Sequence, residues 1–178
     1  MTNHRRGRLA RTVAGMSRIL GGFATLPLLG MLAVGSGTAK ASVLRLSSFP
    51  YLCADVRGGA ITDGTPVNTY DCHGAFNQQW EFVNGQFLGI GTTGAGSKCL
   101  DISGAGVTPP GTLVGLFTCN GGANQQWEIF NGTIIGLPNS NLIYNRQDNL
   151  CLDGSGGLGR QLTVQRCNGG AGQNWAVH

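Results

Sequence analysis

The chain has 178 residues, including 31 glycines and 6 cysteines, and its formal net charge is +4. Six of the 12 lysines and arginines lie in residues 1–41, and all 8 acidic residues follow them. Residues 42–178 therefore carry six basic and eight acidic side chains, a net charge of −2. A chain without a basic surface has little to attract phosphates, so we predict no nucleic-acid partner.

The first 41 residues form a basic segment followed by an apolar one. Five arginines lie between positions 5 and 18, residues 19–39 are uncharged, and Ala39-Lys40-Ala41 has the small-x-small form of a signal peptidase site. We predict a signal peptide cleaved after Ala41 and a secreted protein with no membrane attachment afterwards. An uncleaved anchor is the alternative, although glycines and a proline weaken that helix. Arg5-Arg6 leaves general or twin-arginine export open.

Beyond the leader, the chain repeats one pattern three times. In each copy the second cysteine lies eight positions before a tryptophan, and the tryptophans recur at intervals of 47 and 48 residues. A self-similar period of this length indicates one supersecondary unit used several times. We predict a single domain over residues 42–178, with repeats at about 43–90, 91–137 and 138–178.

The six cysteines are shared equally among the repeats. Six cysteines allow fifteen pairings, and the repeat favours the one in which each copy closes its own disulfide: Cys53–Cys72, Cys99–Cys119 and Cys151–Cys167. Zinc is the competing use of cysteine, but no two cysteines have C-x₂₋₄-C spacing and residues 42–178 contain two histidines. We therefore predict neither a metal site nor a cofactor.

In chain order, the predicted elements are short strands. Residues 43–46 alternate in polarity, and the first repeat divides into runs at 52–56, 66–71, 79–83 and 86–90. Asn84-Gly85 and Asn131-Gly132 each separate two apolar runs, which is a strong hairpin signal. No window has a helical stripe, so we predict an all-β chain of about twelve strands. The third repeat ends where its hairpin is due, so the N-terminal strand is expected to complete a closed barrel capped by hairpins.

The repeated motifs Cys-x-Asp, Val-x-x-Tyr-x-Cys and Asn-Gln-x-Trp resemble those of the ricin-type β-trefoil lectins and family 13 carbohydrate-binding modules. The resemblance covers about residues 43–178. It implies a β-trefoil of pseudo-threefold symmetry with up to three shallow sugar sites. In that family each site combines an Asp two residues after the first Cys, an aromatic platform two before the second, an Asn before Q-x-W, and a polar rim residue.

Carried onto this chain, the resemblance implies three unequal sites. The first repeat supplies all four elements, the second lacks a polar rim residue because Gly115 stands there, and the third replaces the platform with Gln165 and the Asn with Gly172. We expect little or no binding in the third. The candidate carbohydrate-binding residues are Asp55, Asn68, Tyr70, Asn77, Asp101, Phe117 and Asn124.

Several of these residue types also have structural roles. We expect the Q-x-W tryptophans to fill the core and the glutamines to satisfy backbone groups inside it. Asp153, without its partners, fits a turn-capping carboxylate. His73 has no counterpart in the other repeats and is expected only at the edge of the first site.

Catalysis finds no support in the sequence. Glycoside hydrolysis needs two carboxylates across one bond, and the motif Asp residues occur once per repeat. We predict a non-enzymatic, monomeric protein that binds carbohydrate, with galactose-type sugars or plant polysaccharides such as xylan or arabinan as the ligands that the resemblance implies. The alternative is a β-trefoil scaffold that acts by protein contact, as a protease inhibitor or an accessory subunit of a secreted enzyme.

Overall fold

A computed structural model describes residues 41–89, 91, 96–104, 108–136 and 150–178. The predicted leader, except for Ala41, lies outside these residues, as do 92–95, near the predicted start of the second repeat, and 137–149, where the third was predicted to begin. Within them the chain forms twelve strands: β1 (Ser42–Leu46), β2 (Leu52–Val56), β3 (Val67–Asp71), β4 (Gln79–Val83), β5 (Gln86–Gly89), β6 (Lys98–Ile102), β7 (Thr112–Thr118), β8 (Trp127–Phe130), β9 (Thr133–Gly136), β10 (Leu150–Asp153), β11 (Thr163–Arg166) and β12 (Trp175–Val177).

All strand pairs are antiparallel, and most strands pair with a neighbour in sequence, the exceptions being β3 with β4, β7 with β8 and β11 with β12. The predicted Asn-Gly turns are present: Asn84 and Gly85 have φ values of 50° and 78°, and Asn131 and Gly132 have values of 47° and 77°. Consecutive positive φ angles are those of a type I′ turn, whose twist matches the two strands that it joins. The β4–β5 and β8–β9 hairpins therefore form as the sequence predicts.

Strand β1 joins the two ends of the described domain. Leu46 lies opposite Trp175 of β12, Ser42 lies opposite Trp80 of β4, and Arg45 lies opposite Cys53 of β2. The predicted adjacency of first and last strands is confirmed. With the β7–β11 pairing, β1 links the three repeats into one β-trefoil, in which no repeat has to bury its apolar face alone.

The core is built around one tryptophan from each repeat. Trp80, Trp127 and Trp175 are almost wholly buried, and the indole N–H of each donates to the carbonyl of the residue that follows the repeat's first cysteine. These three bonds have lengths of 3.2, 3.0 and 3.0 Å. A large apolar ring with a satisfied N–H suits a core position, so the predicted role of the tryptophans is confirmed.

The three predicted disulfides are confirmed: Cys53–Cys72, Cys99–Cys119 and Cys151–Cys167. The three disulfides link the paired strands of the β2–β3, β6–β7 and β10–β11 hairpins, in that order. Within the described ranges, 3₁₀ turns of three residues lie at Arg57–Gly59, Phe76–Gln78, Ala123–Gln125 and Ala171–Gln173. The last three carry the Asn-Gln part of the repeated motif or its equivalent, and they direct these side chains toward the hairpin. No helix in the described residues is long and apolar enough to cross a membrane.

Candidate carbohydrate site

The register of the β2–β3 hairpin brings the first set of predicted residues together. Asp55 lies opposite Asn68, and Cys53 lies opposite Tyr70. Because side chains alternate across a strand, Asp55, Asn68 and Tyr70 belong to one face of this hairpin. Asp55 is buried, whereas 48% of Tyr70 is exposed. A carboxylate thus lies at the base of a surface that has an accessible aromatic ring beside it.

One oxygen of Asp55 is held by three donors. Asn77 Nδ2 and Gln78 Nε2 donate to Asp55 Oδ2 at 2.9 and 2.8 Å, and His73 Nε2 lies 3.2 Å from the same oxygen. Among the described residues, Oδ1 of Asp55 has no hydrogen-bond partner. The carboxylate is therefore fixed in orientation while one of its oxygens is left to accept hydrogen bonds from a ligand.

His73 takes a larger part than the sequence predicts. Its Nδ1 accepts the backbone N–H of Ala75 at 3.2 Å, which leaves Nε2 to carry the proton that it donates to Asp55 when neutral. Its ring also meets Tyr70 edge to face, with centroids 6.2 Å apart. His73 thus connects the carboxylate with the aromatic ring. The absence of a histidine in the other repeats was the only sequence signal for it.

Asn68 lies on the site's face, but its amide is used elsewhere. Nδ2 of Asn68 donates to the carbonyl of Gly159 at 3.2 Å, and its backbone forms a bridge with Gln161. Both partners belong to the third repeat. The side chain therefore ties two repeats together, and no bond to Asp55 is formed.

The second repeat reproduces the carboxylate arrangement. Asn124 Nδ2 and Gln125 Nε2 donate to Oδ2 of Asp101 at 2.8 and 3.0 Å, and Oδ1 again has no partner among the described residues. Phe117, which is 42% exposed, lies opposite Cys99 in the position of the platform. Burial raises the pKa of the Asp101 carboxyl above its ordinary value, the bonds from Gln125 and Asn124 oppose that rise, and the charge of Asp63 adds to it.

The glycine at the rim of the second repeat has a physical cause. Gly115 pairs with Pro66 of the first repeat, and a Cβ at Gly115 would lie 2.8 Å from the carbonyl oxygen of Thr65. The loop before β3 is anchored here, because Asp63 Oδ1 accepts bonds from Lys98 Nζ at 2.7 Å and from the Thr118 N–H at 2.8 Å. Contact between repeats therefore excludes a side chain at position 115.

The third repeat uses its carboxylate differently. Oδ2 of Asp153 accepts from Gln173 Nε2 at 3.1 Å, but Oδ1 accepts the backbone N–H of Ser155 at 2.8 Å. This is the turn-capping role that the sequence predicts for Asp153. A Cβ at Gly172 would lie 2.6 Å from Ser155 N, so the same loop occupies the place of the missing Asn.

A cleft of about 330 Å³ remains beside Asp153, but its lining has no aromatic ring. Gln165 stands at the platform position of this repeat and is one of the lining residues. The third repeat therefore offers a polar cleft in which both oxygens of Asp153 are already bonded.

The Q-x-W glutamines satisfy backbone groups as predicted, and they also position the carboxylates. Oε1 of Gln78 accepts the N–H groups of His73 and Gly74 at 2.9 and 3.1 Å, while Nε2 donates to the Asp71 carbonyl at 2.8 Å in addition to Asp55. Gln125 and Gln173 each accept one backbone N–H, from Asn120 and Asn168, and donate to the carbonyls of Thr118 and Arg166. The bonds from these glutamines to the aspartates were not predicted from the sequence.

Three copies of one hairpin-and-turn unit, each with a motif carboxylate, define a β-trefoil of the lectin type. The family model for the ricin-type beta-trefoil lectin domain matches residues 43–175, and the chain belongs to this family. No group of three or more potential metal-ligating His, Cys, Asp or Glu side chains occurs in the part of the chain that the structure describes.

Solved structures have the same β-trefoil fold. The designed threefold-symmetric protein ThreeFoil is similar at 23% identity and a TM-score of 0.61, over 77% of this chain and 96% of that one. The β-trefoil lectin of the Vibrio vulnificus hemolysin/cytolysin, solved with N-acetyl-D-lactosamine bound, is similar at 24% identity and a TM-score of 0.60, over 79% and 95%. The agglutinin of Abrus precatorius has 25% identity and a TM-score of 0.59 over 79% of this chain, which spans about half (49%) of that chain.

Proposed function

We propose that the protein binds carbohydrate without catalysis, through a principal site formed by Asp55, Tyr70 and Asn77. The observation that carries this proposal is the state of Asp55, whose Oδ2 is fixed by its neighbours while Oδ1 has no partner among the described residues, beside an exposed Tyr70. An ionised carboxylate is a strong acceptor for sugar hydroxyls, and an aromatic face buries the C–H side of a pyranose.

Asn77 has two roles in this proposal. Its Nδ2 bonds both Asp55 Oδ2 and the Val56 carbonyl, at 2.9 and 3.3 Å, which fixes the amide next to the carboxylate. Because these two bonds use both hydrogens of Nδ2, a sugar hydroxyl that donates to Oδ1 of Asp55 would accept from the amide in exchange for the longer bond, to the Val56 carbonyl. We assign Asn68 no bond to the ligand, because its amide donates to the Gly159 carbonyl of the third repeat.

We propose a second, weaker site at Asp101, Phe117 and Asn124. It has the same free carboxylate oxygen and a ring without a hydroxyl group. Single shallow sites bind weakly, so useful affinity for a polymer would come from both sites engaging one chain. We expect no sugar bound at Asp153.

The ligand class that we propose is a galactose-type sugar or a plant polysaccharide such as xylan or arabinan. Support for the first comes from the N-acetyl-D-lactosamine that the similar Vibrio vulnificus lectin binds. We further propose a secreted monomer released by cleavage after Ala41. Three disulfides support an oxidising compartment, since such bonds are rare in the cytosol.

The test is a binding titration of the disulfide-bonded protein against galactose, lactose, xylan and arabinan, with Asp55→Asn and Tyr70→Ala run in parallel. Loss of a charge-assisted hydrogen bond costs about 1.5–3 kcal/mol, so Asp55→Asn should weaken binding by about 10- to 100-fold. Tyr70→Ala should weaken it by about three- to tenfold, the value of ring stacking.

The matched controls are Asp153→Asn and Gln165→Ala, which change the equivalent positions of the third repeat and should leave affinity unchanged. Binding that survives both Asp55→Asn and Tyr70→Ala but is lost with Asp101→Asn would move the principal site to the second repeat. If the folded protein retains none of these sugars, the proposal fails and a scaffold acting by protein contact takes its place.

A further inference from the structure

The first repeat carries an aromatic residue that the other repeats lack. Phe76 directly precedes Asn77 and is 57% exposed, while alanine stands at the equivalent positions 123 and 171. Ile61, in the loop that follows β2, is 40% exposed. The pairing of these two side chains with the best-formed carboxylate site is specific to this repeat.

The ring of Phe76 is held in place although it is exposed. It packs against Gly59, where a Cβ would lie 3.6 Å from Phe76 Cε2, and it covers Gly91 so closely that a Cβ there would clash. Gly59 has a φ of +64°, a conformation that side-chain-bearing residues rarely adopt. Two glycines thus form a seat for the ring, and little conformational entropy remains to be lost when a ligand covers it.

Phe76 and Ile61 form the walls of a small crevice that continues from the proposed sugar site. The crevice has a volume of about 10 Å³, and its lining includes Val56, Ala60 and Asn77. Asn77 is the residue that donates to Asp55 Oδ2, and Val56 is the next residue along β2. The apolar crevice and the polar carboxylate site therefore share one side chain and one strand.

Tyr70 and Phe76 lie at different positions along β2, one on each side of Asp55. Tyr70 is level with Cys53, the carboxylate follows two residues later, and the crevice begins at Val56. At about 3.3 Å per residue, Cys53 and Val56 are about 10 Å apart along the strand. A ligand that stacks on Tyr70 and bonds to Asp55 can thus be continued toward Phe76, and the surface is longer than one sugar ring.

We propose that Phe76 and Ile61 form a second subsite for the sugar residue that adjoins the one held at Asp55, so that the repeat-one site recognises a glycan chain of at least two residues. This inference rests on the proposed function. The exposed face of Phe76 suits the C–H face of a pyranose, and continuity through Asn77 favours a covalently linked neighbour over an unrelated partner.

The experiment compares short chains with their monosaccharides: lactose with galactose, xylotriose with xylose and arabinotriose with arabinose. The full protein with Asp101→Asn is used, so that only the first repeat binds, and affinities are measured by calorimetry. We expect the chain that the protein selects to bind about three- to tenfold more tightly than its monosaccharide. Phe76→Ala introduces the alanine that stands at this position in the other two repeats. It should abolish the preference for the chain and leave the affinity for the monosaccharide within about twofold of that of the protein with Phe76.

Two further variants make the result specific. Phe76→Tyr keeps the ring and should keep the advantage, whereas Leu158→Ala removes a similarly exposed (55%) side chain of the third repeat and should change nothing. An advantage that persists in Phe76→Ala, or no advantage in the Asp101→Asn protein, would overturn the second subsite alone. Sugar binding that is absent, or unaffected by Asp55→Asn, would overturn the repeat-one site itself and the subsite with it.

Discussion

Gln78→Leu tests whether one side chain supports both the fold and the proposed site. The buried amide of Gln78 makes four hydrogen bonds, and the substitution leaves the N–H groups of His73 and Gly74 and the carbonyl of Asp71 without these partners. At about 1–2 kcal/mol for each unsatisfied backbone group, the cost is about 3–6 kcal/mol. The buried leucine recovers about 1–2 kcal/mol, so the free energy of unfolding should fall by roughly 2–4 kcal/mol.

The assay is urea unfolding followed by tryptophan fluorescence, with the disulfides intact. The matched control is Gln79→Leu, because the neighbouring Gln79 is only half-buried and its amide makes one exposed bond, from Nε2 to the Gly74 carbonyl at 2.8 Å. The control should lose no more than about 1 kcal/mol. If Gln78→Leu proves as stable as the control, the hydrogen bonds of the Gln78 amide do not stabilise the fold.

Three further predictions follow from the other repeats. Because the pKa of Asp101 is raised by burial, sugar binding at the second site, measured with Asp55→Asn, should weaken on acidification already above the ordinary aspartate value of 3.8; affinity unchanged down to that pH would contradict this. The pKa of Asp63 is lowered, chiefly by the hydrogen bond from Lys98 and also by those from Thr118. The ionised carboxylate of Asp63 therefore stabilises the fold fully above the pKa of the unfolded state, and this stabilisation is lost as the pH falls through the lowered pKa. The stability gap between wild type and Asp63→Asn should therefore narrow at low pH, and a constant gap in denaturant titrations would refute the coupling. Gly172→Asn should destabilise the protein without creating a third sugar site, because a Cβ at position 172 would lie 2.6 Å from Ser155 N. Sugar binding gained by Gly172→Asn in a protein that also carries Asp55→Asn and Asp101→Asn would contradict this.

The fold follows from local sequence signals because they are repeated. Asn84-Gly85 predicts a turn by its conformational preference alone, and the equal Cys-to-Trp spacing identifies residues that must occupy equivalent places. That spacing occurs three times, and three equal spacings constrain the fold more than one does. The closure by β1 follows from the same reasoning, since the strand opposite Trp175 is needed to complete the third hairpin.

The contents of the sites depend on contacts between repeats, which no local signal reports. The rim glycine of the second repeat reflects the carbonyl of Thr65, about fifty residues earlier in sequence. Asn68 is directed to Gly159 rather than toward Asp55 for the same reason. His73 approaches Asp55 only because the turn after Cys72 folds back over the hairpin, a matter of tertiary geometry.

The three repeats together separate what the core requires from what binding requires. In the third repeat Gln173 and Trp175 keep their buried hydrogen bonds, although Gln165 replaces the aromatic platform and Gly172 replaces the Asn. These two residues are therefore needed by the core in every repeat. Asp153 is retained there as well, yet its Oδ1 is bonded to Ser155 N, so the presence of the motif aspartate does not by itself indicate a site. In the sites that we propose, the distinguishing feature is a carboxylate fixed through Oδ2 whose Oδ1 has no partner among the described residues, as at Asp55 and Asp101. In the third repeat the backbone N–H of Ser155 thus takes the oxygen that in the first two repeats we propose for a ligand, while the buried bonds of Gln173 and Trp175 are kept.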